Sequence, residues 1–209
     1  IPVTQTISVE VLFLVRADSP YQNMREFIAA AKTANPPLTY GTPGRGHTHH
    51  IYMEQMSKAA GIQLTHIPYK SEYDSVNGLL GEQVTASFGA IGTALAFIKA
   101  NRLRALAMTS KTRLKLLPNV PSFTELGISM PDISGWFGIL APAGTPAAIV
   151  RKVSADIREI LARPEMIRYL EDQEAMELVA STPERFAERI HGDLRRYKQL
   201  LREVGITPE

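Results

Sequence analysis

The densest group of residues able to hold a ligand is Tyr-Gly-Thr-Pro-Gly-Arg-Gly-His-Thr-His-His at positions 40–50. It connects a predicted strand to a predicted helix, so free backbone N–H groups and the positive end of the helix dipole meet there. Gly44 and Gly46 allow the backbone to turn sharply and to approach a ligand, while Thr42 and Thr48 add hydroxyl groups. This combination is typical of a carboxylate or phosphate site. A structural turn is the alternative, because the sequence has neither the Walker A lysine nor the third glycine of a dinucleotide fingerprint.

Two further loops follow predicted strands and contain small or polar residues. Residues 88–93 read Phe-Gly-Ala-Ile-Gly-Thr, with Thr93 predicted to cap the next helix, and residues 68–71 read Pro-Tyr-Lys-Ser. Ligand loops of α/β proteins lie at the carboxyl ends of parallel strands. We therefore expect the three loops to meet in one crevice, with Tyr69 lining it.

Three of the five histidines, His47, His49 and His50, fall within four residues. His50 and Glu54 also have the i, i+4 spacing of a helical metal pair, so a metal-dependent enzyme centred on this cluster is the alternative function. The sequence contains no His-Glu-x-x-His motif, no Gly-x-Ser-x-Gly motif and no cysteine. The residues therefore favour a binding site without a metal or other cofactor over a catalytic one.

Composition excludes several classes of protein. The 209 residues include 23 basic and 21 acidic side chains, and this near balance, without a long basic run, disfavours nucleic-acid binding. The hydrophobic content of 44% excludes intrinsic disorder. The absence of cysteine excludes disulfides, iron–sulfur clusters and thiol nucleophiles, and no apolar run is long enough to span a membrane. The sequence starts at Ile1 rather than Met, which we interpret as a cut start.

Short apolar runs alternate with helical patterns, which predicts an α/β architecture with a parallel sheet. Predicted strands cover residues 9–15, 38–40, 63–68, 84–88, 103–108 and 136–140. Predicted helices start at the caps Ser19-Pro20, Thr145-Pro146 and Thr182-Pro183, and further helices cover 49–60, 73–80, 93–100 and 164–172. The apolar spacing predicts a buried face on each of two helices, formed by Ile149, Val150, Val153, Ile157 and Ile160 in one and by Phe186, Ile190, Leu194, Tyr197, Leu201 and Val204 in the other.

An ordered series of segments resembles the Bug family of extracytoplasmic solute receptors, the binding proteins of tripartite tricarboxylate transport systems. The first segment, residues 38–50, is similar to the family's Tyr-x-Ser-x-Gly-x-Gly…His pattern, and the second, His-Ile-Pro-Tyr-Lys at 66–70, to its Val-Pro-Tyr-Lys strand end. Residues 98–110 resemble its Lys-Ala-Gly-Lys-Leu-Arg-Ala-Leu-Ala-Val-Thr-Ser stretch. Residues 119–127 and 136–146 complete the series, which covers nearly the whole chain.

The resemblance implies a type II periplasmic binding protein-like α/β fold, with two lobes built on mostly parallel sheets. Residues 10–133 are similar to the complete second lobe, whereas residues 1–9 and 134–209 resemble the hinge and the C-terminal part of the first lobe. The N-terminal part of the first lobe has no counterpart, so the first lobe is expected to be incomplete. An incomplete lobe exposes apolar surface, so pairing with another copy of the chain is also expected.

The resemblance further implies a non-catalytic periplasmic receptor, made with a signal peptide, that delivers a small organic carboxylate to membrane transporter subunits. Its ligand would be a di- or tricarboxylate or an amino acid. The ligand-binding residues carried over are Thr42, Gly44, Arg45, Gly46, His47, His50, Tyr69, Gly89, Ala90 and Thr93. The chain departs from the family pattern at Arg45, His47, Ser71, Thr85 and Gly89, and a degenerate module without ligand is therefore a further alternative.

Overall fold

The computed structural model describes residues 1–131, 133–170 and 176–206. Within these residues the chain forms two compact units. The larger unit contains residues 11–131 and 200–206, and the smaller one contains residues 1–10, 133–170 and 176–199. Residues 200–206 thus belong with the larger unit, although the sequence-based division placed them in the first lobe.

The helices and strands follow in chain order as β1 (Pro2–Val9), β2 (Val11–Arg16), α1 (Met24–Thr33), β3 (Thr39–Thr42), α2 (Thr48–Ala60), β4 (Thr65–Pro68), α3 (Glu72–Leu80), β5 (Ala86–Ala90), α4 (Ile91–Lys99), β6 (Leu103–Met108), β7 (Gly135–Leu140), α5 (Ala147–Leu161), α6 (Pro164–Tyr169), β8 (Met176–Leu178) and α7 (Pro183–Glu203). In the described ranges, none of these helices is long and apolar enough to cross a bilayer.

The larger unit is built on one five-stranded sheet in the order β4-β3-β5-β2-β6. β3 pairs in parallel with β4 and β5, whereas β2 is antiparallel to β5 and β6. Four strands therefore run in one direction and β2 runs in the other. The sheet is therefore mixed. The predicted parallel arrangement describes the shared direction of β3, β4, β5 and β6 but not β2.

The core of this unit is centred on Phe13 in β2. Its ring makes edge-to-face contacts with Phe27, Phe88 and Phe123, at centroid distances of 4.9, 5.4 and 6.5 Å. All four rings are almost completely buried. Edge-to-face pairs contribute about 0.5–1.5 kcal/mol beyond simple burial, so this cluster fixes α1 and β5 against β2.

The smaller unit is built on a three-stranded sheet in the order β7-β1-β8, and both of its pairings are antiparallel. The expectation of a mostly parallel sheet is therefore wrong for this unit. β1 and β7 are separated by the whole larger unit rather than by one crossover helix, so no βαβ connection requires them to be parallel.

α7 is attached to this sheet by a buried carboxylate. Oδ2 of Asp193 accepts hydrogen bonds from Nε1 of Trp136 (2.8 Å) and from Nε of Arg189 (2.7 Å). The Trp136 ring also packs edge-to-face on Phe186 at 5.0 Å. Because Asp193 is buried, these charge-assisted bonds replace the water that its Oδ2 atom gives up on folding.

Several predicted helix starts are wrong. α1 begins four residues after the predicted Ser19-Pro20 cap, because the side chain of Asn23 accepts the Glu26 N–H (3.0 Å) while the Glu26 carboxylate accepts the Gln22 N–H (2.7 Å). α4 is capped by Ala90, and Thr93 lies within the helix. The end of the helix predicted at 164–172 lies outside the described residues.

Two strands, β1 and β8, were not predicted from the sequence.

The predicted buried faces of α5 and α7 are more exposed than expected. Val150 of α5 and Phe186 of α7 are buried as expected, whereas Leu194 of α7 is exposed. Other exposed apolar side chains of the smaller unit are Ile1, Phe137, Ile139, Leu140, Ile149, Val153, Ile160 and Tyr169. No described element packs over them, so pairing with another chain stays a prediction.

We expect Asp193→Ala to lower the free energy of unfolding by about 3 kcal/mol, because it leaves the Trp136 N–H and the Arg189 guanidinium without their buried acceptor. Urea denaturation followed by Trp136 fluorescence measures this change. Asp156→Ala is the matched control, because Asp156 forms only an exposed pair with Lys152 and its loss should cost less than about 0.5 kcal/mol. Equal losses for the two variants would contradict the role assigned to Asp193.

Candidate functional site

Three loops leave the carboxyl ends of β3, β4 and β5 at the same edge of the sheet, as the parallel pairing of these strands requires. Two hydrogen bonds connect the loops directly. The Tyr69 N–H donates to the Thr42 carbonyl (2.8 Å), and the Ala90 N–H donates to Oε1 of Glu72 (2.8 Å). We call residues 42–50, 69–72 and 89–93 the strand-end site.

The glycine-rich loop takes its shape from two glycines in the left-handed region, Gly44 with φ 122° and Gly46 with φ 81°. The Gly46 N–H donates to Nδ1 of His50 (3.1 Å). A Cβ atom on Gly46 would lie 3.8 Å from Leu201 and 3.9 Å from Ile206. Gly46 therefore allows the loop to pack closely against Leu201 and Ile206, and its N–H is already bonded to His50. Arg45, between the two glycines, is exposed.

The Thr42 hydroxyl is an internal part of this loop. Thr42 is fully buried, and its Oγ1 contacts the Gly44 carbonyl at 3.1 Å and Nε2 of His66 at 2.6 Å. The hydroxyl predicted to assist a ligand therefore holds the turn to β4 in this structure.

Behind the loop, His50 and His66 stack with ring centroids 4.0 Å apart and an angle of 16° between planes. Tyr40 stacks on His66 at 5.0 Å, and its hydroxyl donates to Glu54. Burial lowers the pKa of both histidines to about 4, and the positive charge of Arg45 acts in the same direction on both. His50 lowers the pKa of His66 further, against the opposing effect of the Glu54 carboxylate. Both rings are therefore uncharged at neutral pH.

His47 and His49 form a separate pair. Nδ1 of His47 caps α2 by accepting the His49 N–H (3.2 Å), and the two rings meet edge-to-face at 4.7 Å. Burial lowers the pKa of His49 to about 3, and Nε2 of this ring lies 3.9 Å from Oε2 of Glu72. His50 belongs to the other stack, so the three histidines do not converge. Among the residues that the structure describes, no group of three suitable side chains is arranged to hold a metal ion.

Tyr69 is held against α3 and β3. Its hydroxyl donates to Oε1 of Gln83 (3.2 Å), and its ring fits over two glycines. A Cβ atom on Gly78 would lie 2.3 Å from the Tyr69 hydroxyl oxygen, and one on Gly41 would lie 3.0 Å from the ring. The aromatic side chain thus lines a shallow depression on the flank of the strand-end site, together with Lys70 and Asp74.

At the end of β5, packing and a hydrogen bond explain the residue types. A Cβ atom on Gly89 would lie 2.8 Å from Leu14 and 3.3 Å from Val76, so only glycine fits without rearrangement. Ala90 caps α4 without a side-chain hydrogen bond, and its N–H is bonded to Glu72. Thr93 lies half-buried in the first turn of α4.

Glu72 is the residue of this site that sequence reasoning missed. The carboxylates of the chain were interpreted as solvated positions on helix faces, and Glu72 was not distinguished from them. Its position directly after the Pro-Tyr-Lys-Ser loop is the signal that could have identified it, because a residue there faces the ends of the neighbouring strands.

The stacked histidines predict a pH dependence of stability. Their pKa values are about 4 in the folded chain and about 6.5 when unfolded, so the unfolded state binds more protons between these limits. Stability should be complete above pH 6.5 and fall as the pH decreases from 6.5 to 4. Because His66 is partly exposed and its interactions are therefore screened by water, we expect a total loss of about 3 kcal/mol from this pair.

Urea denaturation at intervals from pH 4 to pH 7.5 measures this loss in the wild type and in a His50→Gln/His66→Gln double variant. The variant should lose distinctly less stability over the range. His191→Gln, which changes an exposed histidine on α7, is the control and should follow the wild type. A double variant with the wild-type pH profile would contradict the assignment.

The comparisons with known proteins agree with this architecture. Residues 2–206 match the family described as "Tripartite tricarboxylate transporter family receptor". A protein encoded in the gbd 5′ region of Cupriavidus necator is 32% identical over 194 residues, which are 93% of this chain and 58% of that protein. The chain spans 58–64% of the lengths of the first three curated relatives that it matches.

Solved structures give the same result. The periplasmic binding protein BugD aligns with all of this chain and with 70% of its own, at a TM-score of 0.86 and 25% identity. An R. palustris protein solved with adipate aligns with all of this chain and 69% of its own, at a TM-score of 0.89 and 23% identity, which is a likeness of fold. The resemblance to the Bug family and the type II binding protein-like fold are thus confirmed. The chain belongs to the tripartite tricarboxylate transporter receptor family, whose members are periplasmic solute-binding proteins and not enzymes.

Proposed function

We propose that this chain contributes a binding site for a small organic carboxylate to a periplasmic solute receptor, which delivers its ligand to the membrane subunits of a tripartite transporter. The observation that carries the proposal is the meeting of three loops at the carboxyl edge of β3, β4 and β5. The exposed cation Arg45 and the amino-terminal ends of α2 and α4 lie at this edge.

The electrostatics of this edge suit an anion. The amino terminus of α2 places partial positive charge beside the glycine-rich loop, whereas that of α4 is already occupied by the Glu72 carboxylate. The exposed Arg45 guanidinium offers a bidentate contact to a carboxylate. The R. palustris neighbour solved with adipate gives a precedent on this fold for a carboxylated ligand of this size.

The polar side chains of the site support binding rather than catalysis. Thr42 and His66 are close enough for a nucleophile and its base, but Thr42 is fully buried and its hydroxyl is bonded to the loop. His50 and His49 are buried and belong to different ring contacts. The site therefore supports recognition by backbone groups and by the exposed Arg45 and His47.

Isothermal titration of the chain with a panel of mono-, di- and tricarboxylates and amino acids tests the proposal. We expect saturable heat with at least one acid, and we expect Arg45→Gln to weaken that binding about tenfold through loss of a charge-assisted contact. Arg25→Gln is the control, because it removes the same charge from an exposed position on α1. If every acid fails to bind to protein shown by circular dichroism to be folded, the proposal is wrong.

A further inference from the structure

The carboxylate of Glu72 occupies the end of α4, where a carboxylate of a ligand would otherwise fit. Its Oε1 atom accepts the Ala90 N–H at 2.8 Å. Ala90 is the cap residue of α4, and the positive end of the helix dipole stabilises an anion at this place. One part of the strand-end site is therefore already filled by an acidic side chain of the protein.

The second oxygen of Glu72 has no such partner. Among the described residues, none donates a hydrogen bond to Oε2, and the one ionisable nitrogen within 4 Å is Nε2 of His49, at 3.9 Å. The Glu72 side chain is only 25% exposed, so water reaches it incompletely. An anion in this position gains from a hydrogen-bond donor, and most from a cationic one.

The two neighbouring histidines do not supply that cation. Burial lowers the pKa of His49 to about 3, and it also lowers the pKa of His47 in spite of the opposing effect of the Glu72 charge. Both rings are therefore neutral at pH 7.

We infer that Glu72 determines the class of ligand, selecting a small acid that carries an ammonium group at its far end and rejecting the matching dicarboxylate. This inference rests on the proposed function, in which the carboxylate of the ligand binds at the glycine-rich loop and Arg45. The ammonium group then meets Oε2 of Glu72. A second carboxylate would meet the negative charge of Glu72 and would find the Ala90 N–H already bonded.

Two pairs of ligands with nearly identical shape test the inference, 4-aminobutanoate against glutarate and 3-aminopropanoate against succinate. Isothermal titration at pH 7 should give at least tenfold tighter binding of the amino acid in one or both pairs. Glu72→Gln keeps an acceptor for the Ala90 N–H but removes the charge, and it should abolish this preference by weakening the amino acid at least tenfold.

Glu184→Gln is the matched control, because it makes the same change of charge at an exposed position in the first turn of α7, outside the strand-end site. It should leave both affinities within twofold of the wild type. A cooperative thermal unfolding transition verifies that each variant is folded. If Glu72→Gln does not fold, Glu72→Ser provides a second variant without the negative charge.

The outcomes separate the inference from the proposed function. If neither amino acid binds at least tenfold tighter than its dicarboxylate counterpart, or if Glu72→Gln keeps the preference, the inference is overturned and the carboxylate receptor remains. If none of the four acids binds, and the wider panel of acids fails as well, the proposed function is overturned and the inference with it.

Discussion

The parallel pairing of β3 with both β4 and β5 is the constraint on which the site depends. It directs the carboxyl ends of three strands to one edge, so that loops far apart in the sequence become neighbours. The short hydrogen bonds from Tyr69 to Thr42 and from Ala90 to Glu72 are consequences of this arrangement. The aromatic cluster around Phe13 of β2 includes Phe88 of β5 and so keeps β5, the central strand of the sheet, in place.

Much of the polar capacity at this edge is used inside the protein. The Thr42 hydroxyl, the Gly46 amide and the Ala90 amide all have internal partners. This internal bonding gives the loops a defined shape before a ligand arrives, and pre-organisation reduces the entropy lost on binding. Among the described residues of this edge, the exposed Arg45 and Lys70 and the second oxygen of Glu72 keep unused capacity, and their opposite signs are the basis for a ligand with two unlike ends.

The parts of the fold that could be predicted from the sequence are those set by local patterns. The helices after Ser71 and His47 begin within one residue of prediction, because apolar spacing and a following glycine define them. The start of α1 was wrong because two capping patterns stand side by side, and the reciprocal bonds of Asn23 and Glu26 favour the second. β1 and β8 were missed because their pairing partners lie more than a hundred residues away, so no hairpin turn in the sequence indicates that these segments are strands.

At the site, the three loops were identified from residue type and position, but the bonding within them was not. Glycine at position 89 is explained by Leu14, which is 75 residues earlier, and the role of Glu72 depends on Ala90 and His49. These are tertiary relations between residues that are individually ordinary. A pattern along one chain shows where loops lie, whereas the atoms that remain available to a ligand are set by contacts between loops.

The most direct test is to identify which residues change their environment when a ligand binds. In two-dimensional ¹H–¹⁵N NMR spectra of uniformly ¹⁵N-labelled protein, titration with 4-aminobutanoate should shift the amide signals of residues 44–50, 69–72 and 89–93 together, along one saturable curve. Signals from β1, β7 and α5 should stay in place. Saturable shifts confined to those elements, with the strand-end signals unchanged, would contradict the account.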